Sequence, residues 1–224
     1  MFRLSPLTNE VAFWLGPIPI TGAVVTTWGV MAAITAFCAI SLRRPKVEPD
    51  GVQSLLEILI EAIAAQIEAV LRRDPWPFMP LIGTLFIFLV VANLSAIVPG
   101  LHPPTGHIET PAALAVIVFF SVHVMGISAR GLGRYLRHYF EPNPLLLPLN
   151  VLSEITRIFS LMVRLFGNMM SHEIVIAIVM FLAGVLVPIP FMLLGLLIGI
   201  LQAYIFTVLA TVFVGAAVDA TNAA

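Results

Sequence analysis

Apolar residues along this chain come in long unbroken runs, and the polar residues collect between them. Residues 20–42 form the first run, which stops at Arg43, Arg44 and Lys46. Asp50 then offers a cap for a helix over 51–72. In that stretch the pattern changes: Glu57, Glu61 and Glu68 recur at helical spacing on one side, and Leu56, Leu59, Ile60, Ile63 and Ile67 supply the other. Arg72 and Arg73 close it, at the helix end where cations are favoured. Such a helix lies at a membrane surface or packs obliquely against another helix. Residues 79–98, bracketed by Pro80 and Pro99, are a second apolar run, and 112–127 a short third. Between them, Pro99, Gly100, Pro103, Pro104, Gly106 and Pro111 predict a loop. Pro142, Pro144 and Pro148 break the chain again before a helical run over 150–187. That run is about 57 Å long at 1.5 Å per residue, against a hydrocarbon core of about 30 Å, so it must tilt, bend or extend beyond the membrane. Pro188 and Pro190 predict the turn into a returning helix over 191–217.

The expectation is an all-α polytopic membrane protein, one membrane domain over 1–224, with five membrane-crossing helices (20–42, 79–98, 112–127, 150–187, 191–217). One amphipathic, non-spanning helix (51–72) and a long tilted C-terminal hairpin complete it. Composition agrees: of 224 residues, 60% are hydrophobic and only 10% charged, and mean hydropathy is +1.05. A soluble domain of this size needs far more polar surface. Eight of the eleven Lys and Arg residues (Arg43, Arg44, Lys46, Arg72, Arg73, Arg130, Arg134, Arg137) fall in segments that the excess of positive charge marks as cytoplasmic. The loop 99–111 has neither Lys nor Arg and belongs outside, which predicts an external N-terminus and a cytoplasmic C-terminus. The first twenty residues do not read as a signal peptide, since Arg3 is their only positive charge and Glu10, Pro17 and Pro19 interrupt any apolar core. A single cysteine, Cys38, provides no disulfide framework. There is no dinucleotide fingerprint, phosphate loop or Cys/His spacing of a metal site, so no cofactor, no metal and no nucleic-acid partner are expected.

Arg164 is the sharpest local signal, because it sits mid-helix among Leu161, Met162, Val163, Leu165 and Phe166. A charge in hydrocarbon costs from about 3 to above 10 kcal/mol, and such residues face a bundle interior or a water-filled cavity. Arginine keeps its proton, so it can attract a passing carboxylate without carrying a proton away. At about 100° per residue, Arg157, Ser160, Asn168 and Ser171 lie within about 40° of Arg164. Glu173 points to the opposite side, about 13.5 Å along the axis, and so serves a different space. His172 lies about 80° from Arg164 and reaches toward either. On the returning helix, Gly195 and Gly199 are small residues one turn apart that let backbones approach. Gln202 is its one strongly polar mid-helix side chain, suited either to bonding a buried arginine or to a plain interhelical bond. Asn93 reads first as a helix–helix bond; His102, His107 and Glu109 read as solvated loop residues, and Met169, Met170 and Met180 as packing.

The string from Met162 to Met169, with Arg164-Leu165-Phe166-Gly167-Asn168 at its centre, resembles the signature of the a subunit of F-type rotary ATP synthases. Pro80 to Phe86 with Ala92-Asn93-Leu94, the approach Pro148-Leu149-Asn150 with Glu154 and Arg157, and Leu201 to Phe206 are similar to other parts of that family. The resemblance runs from about residue 20 to 217. It implies a stator subunit in a bacterial inner membrane, beside a rotating ring of c subunits, with b-type subunits meeting the 51–72 helix and the F1 head joined indirectly. It implies that Arg164 faces the ring carboxylates, with Gln202 supporting it, Asn168 beside it and Glu173 lining an outer half-channel. His172, Ser171, Glu154, Arg157, Gly195 and Gly199 would be supporting positions. Ion flow, of H+ or Na+, would drive rotation and ATP synthesis by the head, and this chain would bind no nucleotide. Ile158 stands where the family commonly has proline, and Gly195 where it often has a polar residue, with His172 placed to fill that space. These departures resemble the N-ATPase branch, which implies Na+ as the alternative coupling ion and work as an ATP-driven pump. A stand-alone secondary transporter and a purely structural scaffold are the competing functions; the first requires a substrate site, and commonly an internal repeat, that the sequence does not display.

Overall fold

The computed structural model describes residues 11–15, 18–41, 43, 51–97, 103–133, 147–184 and 187–219. Arg3, Glu10, Pro17, Arg44, Lys46, Asp50, Pro99, Gly100, His102, Arg134, Arg137, Pro142 and Pro144 lie outside them.

The helices follow the apolar runs: α1 Gly22–Ser41, α2 Gly51–Leu71, α3 Met79–Leu94, α4 Glu109–Arg130, α5 Leu147–Ala183 and α6 Pro188–Asp219. Ahead of α1 stands a small antiparallel pair, β1 Val11–Leu15 and β2 Ile18–Thr21, which the sequence pattern did not announce. The helix-turn prolines are also placed differently from expectation. Pro188 and Pro190 lie within the first turn of α6, where a missing N–H costs nothing. The reversal is instead begun by Gly184, at φ +77°, whose N–H donates to Met180 O. Gly131 ends α4 in the same manner, bonded to Ile127 O.

Four helices, not five, are long and apolar enough to cross a membrane among the described residues: Gly22–Ser41, Glu109–Ala129, Leu147–Ala183 and Pro188–Val218. The expected span over 79–98 shortens to the 16 residues of α3, about 24 Å. Ser95 turns the chain into a 3-10 segment, Ser95–Ile97, with its hydroxyl donated to Ala92 O. An all-round apolar run fits a buried core helix as well as a span, and α3 is the former: Ile82, Leu85, Leu89 and Ala92 are buried. By contrast α4, at 22 residues, is longer than its predicted 112–127. At 37 and 32 residues, α5 and α6 extend about 55 and 48 Å, well beyond a 30 Å core.

The core gathers on α6. Ala203, Phe206, Ala210, Val214 and Val218 form one buried stripe along it. Leu85 and Leu89 of α3, Leu114, Ala115, Val118 and Val122 of α4, and Leu161 and Leu165 of α5 pack onto that stripe. Lipid tails are as apolar as leucine, so close packing rather than water exclusion holds such helices together, and the alanines matter for that reason. The amphipathic α2 resolves in favour of packing. Its Ile63, Ile67 and Leu71 meet Ile82 of α3, while Glu57, Glu61 and Glu68 stay exposed. Gly215 of α6 receives Leu71, since a Cβ there would stand 2.6 Å from Leu71 Cδ2.

Candidate functional site

The polar residues of α5 and α6 meet along one seam. Asn168 Nδ2 donates to Gln202 Oε1 at 2.7 Å. Gln202 is 4% exposed, and its Nε2 is buried with no hydrogen-bond partner among the described residues. One turn further along α5, the His172 imidazole lies over Gly195, in the space that any Cβ at 195 would need. Glu173 comes next, and its Oε1 is buried against the 3-10 turn Pro104–Gly106. A Cβ on Gly106 would stand 2.7 Å from Oε1 and 3.1 Å from the carboxylate carbon. Glycine is required there by close approach, not by its own dihedral angles.

That turn is anchored from beneath. Thr105 Oγ1 donates to Asn93 Oδ1 at 2.8 Å, and Asn93 Nδ2 donates to the Gly199 carbonyl at 2.8 Å. All three lie buried, and Gly199 lets the Asn93 Cβ approach to 3.0 Å of where its own would be. Asn93 is therefore the helix–helix bond expected of it, and a loop anchor as well. A single amide satisfies two elements, which a buried polar group in an apolar surround requires.

Arg164 sits one turn before Asn168 and is exposed, with no hydrogen bond or ion pair to any described residue. Of the two roles the sequence left open for Gln202, the interhelical bond is the one formed, to Asn168, while Arg164 stays exposed and makes no bond to Gln202. Ser160 and Ser171 are exposed as well.

On the far side of Arg164 lies a second polar group. Arg157 holds its guanidinium 4.5 Å from the centroid of the Phe213 ring on α6, a cation–π contact. Glu154 Oε1 is 3.6 Å from Nε2 of His123 on α4. His123 Nδ1 is 2.8 Å from Phe119 O. The sequence marked Glu154 and Arg157 but not His123, a lone polar residue inside an apolar run. Gly106 carried no signal of its own, since a glycine in a Pro/Gly-rich loop reads as turn chemistry.

The marked positions thus lie along α5 from Glu154 to Glu173, with Gly195, Gly199 and Gln202 facing them from α6. Comparison with known proteins agrees with the motif. The family model described as ATP synthase A chain matches residues 24–215. The chain is 60% identical over 214 residues to "ATP synthase subunit a 2" of Bradyrhizobium sp. strain BTAi1, covering 96% of each chain. It is 42% identical to "ATP synthase subunit a 2" of Pelobacter propionicus, over 96% of this chain and 95% of that one. It is 44% identical to "ATP synthase subunit a" of Albidiferax ferrireducens, over 96% and 94%. On the match of 24–215 and on these identities, the chain belongs to the bacterial F-type ATP synthase subunit a family.

Proposed function

We propose that this chain is the ion-translocating stator subunit of a bacterial F-type ATP synthase, working through two aqueous half-channels that meet a ring of c subunits on either side of Arg164. The observation that carries this reading is the unpartnered, exposed guanidinium of Arg164 on the outward face of α5, between two polar groups. An exposed charge on an apolar membrane helix calls for an acidic partner from outside the chain, and the ring carboxylates are that partner. An ion arriving past Glu173 binds a ring carboxylate, and the neutral site can then travel through lipid. Close to Arg164 the positive charge favours the ionised carboxylate, which releases its ion toward the Arg157 side. Fixed between the two half-channels, the guanidinium also blocks direct leak. Gln202 and Asn168 hold the neighbouring seam, and the spare Gln202 Nε2 is a donor for the passing carboxylate or a water.

Each elementary charge crossing 100 mV supplies about 2.3 kcal/mol, and several per turn drive synthesis in the catalytic head. Partners in this reading are the c ring, the b-type stator subunits beside the exposed acidic face of α2, and F1 indirectly. The proton is the coupling ion. The N-ATPase-like alternative with Na+ draws on the His172–Gly195 arrangement. ATP-driven pumping in vesicles that needs no Na+ and collapses with a protonophore would remove it. The function itself is tested by Arg164→Ala in the assembled complex. Coupled pumping should vanish while passive ion leak rises, and intact coupling would refute the reading.

A further inference from the structure

The turn that joins α2 to α3 holds a backbone outlier. Arg72 ends α2 at φ +51°, the one residue other than glycine with a positive φ among the described residues. Its N–H donates to Glu68 O at 2.7 Å, the left-handed helix cap that glycine usually completes. An L-residue in this conformation brings its Cβ against backbone oxygen, a cost that glycine does not incur. Such an outlier points to a task for the side chain. The Arg72 side chain is exposed, and its guanidinium makes no hydrogen bond or ion pair with a described residue.

In the same turn, Trp76 is 64% exposed. The backbone around it is held firmly. Trp76 N–H donates to Asp74 Oδ1 at 3.3 Å, and the N–H groups of Phe78 and Met79 both donate to Pro75 O at 3.0 Å. Phe78 packs against the α6 core and against the α2–α3 cluster, so the turn is fixed from inside while Arg72 and Trp76 stay outside. Its depth follows from α6. Leu71 rests on Gly215, and Gly215 lies about 19.5 Å along the axis from Gln202, which is near the middle of α6. Half of the hydrocarbon core is about 15 Å, so the turn comes at headgroup level. An indole is favoured there, with its apolar body toward lipid and its N–H toward the polar edge.

We propose that Arg72 and Trp76 form a binding site for the headgroup phosphate of an anionic phospholipid, at the membrane edge where α2 turns into α3. The guanidinium fork takes the phosphate oxygens, and the indole lies at the glycerol level of the same leaflet. The site needs only that the chain lies in a bilayer, and it stands apart from ion translocation at Arg164. Lipid fits the turn better than an acidic segment of a neighbouring subunit does. Glu57, Glu61 and Glu68 expose an acidic face on the same helix, so a protein lying along α2 would be basic and would have no use for Arg72. An acidic peptide also gives no reason for a bare tryptophan at headgroup depth. Asp74, the acid within the turn, is tied to the Trp76 N–H. The positive charges Arg43, Arg72 and Arg73 mark this side as cytoplasmic, where anionic lipids make the leaflet surface negative.

The test places the assembled complex in phosphatidylcholine vesicles and titrates in phosphatidylglycerol brominated high on its acyl chains, which quenches nearby indoles. The Trp76 signal is the difference between wild type and Trp76→Phe, at equal subunit content on immunoblots. It should be quenched at a mole fraction about fivefold below that needed with brominated phosphatidylcholine, the preference that one basic side chain gives at an anionic surface. Arg72→Gln and Arg72→Gly should abolish that preference, and Arg72→Lys should keep most of it. Arg72→Gly should also melt no lower than wild type, because glycine takes the left-handed conformation freely. Equal quenching by the two lipids in wild type overturns the proposal, as does an unchanged preference in Arg72→Gln. A Trp76 signal quenched by neither lipid overturns it too, since another subunit then covers the turn. Loss of the preference in a large excess of inorganic phosphate marks a site for soluble anions and overturns the assignment to lipid. A lowered melting temperature in Arg72→Gly marks a plain helix cap and likewise overturns it.

Discussion

Gly106→Ala is the substitution whose outcome the geometry defines best. The new methyl would stand 2.7 Å from Glu173 Oε1, 3.1 Å from Cδ and 3.2 Å from Oε2. Ordinary carbon–oxygen contact is near 3.4 Å, so the carboxylate must retreat by about 0.7 Å. The turn is held by Thr105 through Asn93 to α6, and so the carboxylate, the free end of a flexible side chain, is what moves. A forced departure of roughly 30° from a rotamer costs about 0.5–1.5 kcal/mol. Folding tolerates that, but the ion hand-over proposed for Glu173 depends on the position of its carboxylate. About 1 kcal/mol at the transfer step corresponds to a fivefold slower rate. The assay is ATP-driven acidification of inverted vesicles, with subunit content checked by immunoblot. A fivefold fall at normal content is expected. Gly133→Ala, where a Cβ meets nothing within 4 Å, should leave the rate unchanged. Glu173→Asp, one methylene shorter, should restore part of the rate in the Gly106→Ala background while slowing the otherwise native complex. Native pumping in Gly106→Ala would refute the placement of Glu173 against the turn, and equal slowing in Gly133→Ala would refute the steric argument.

Two further substitutions test the packing. Asn93→Ala removes two buried hydrogen bonds and strands the Thr105 hydroxyl, so detergent-denaturation stability should fall by about 1–3 kcal/mol; Asn93→Gln, whose longer side chain overshoots Gly199, should not rescue it. Gly215→Ala drives a methyl to 2.6 Å from Leu71 Cδ2 and should loosen α2, read as faster protease cleavage around Leu71, with Leu71→Ala restoring protection.

How much of this was legible in the sequence depended on which force set each feature. The α-helical class, the amphipathic α2 and the long hairpin follow from local periodicity, and their boundaries moved by only a few residues. The fifth crossing failed because apolarity alone does not separate a core helix from a span. What shortens α3 is Ser95 closing a turn on Ala92 and Asn93 spending its amide on α6, and both depend on tertiary neighbours. The seam residues Asn168, Gln202 and His172 were marked because polar side chains in an apolar run are costly and therefore conspicuous. Glycine conceals its purpose by comparison. Gly195 announced close packing but not that an imidazole from α5 fills the space, and Gly106 announced only a bend.

The bare arginine on α5 has a consequence for how the protein is made. Around it, Phe159, Val163 and Ile155 present grease to the surroundings, so before assembly the guanidinium faces acyl chains or drags headgroups and water inward, at several kcal/mol. No described residue relieves that burden. A newly inserted copy is thus at its least comfortable while single, and docking against the proposed ring carboxylates would remove the defect. On the proposed function, biogenesis and turnover would share one lever: the same cation that disfavours the orphan in the bilayer would reward the copy that finds its rotor.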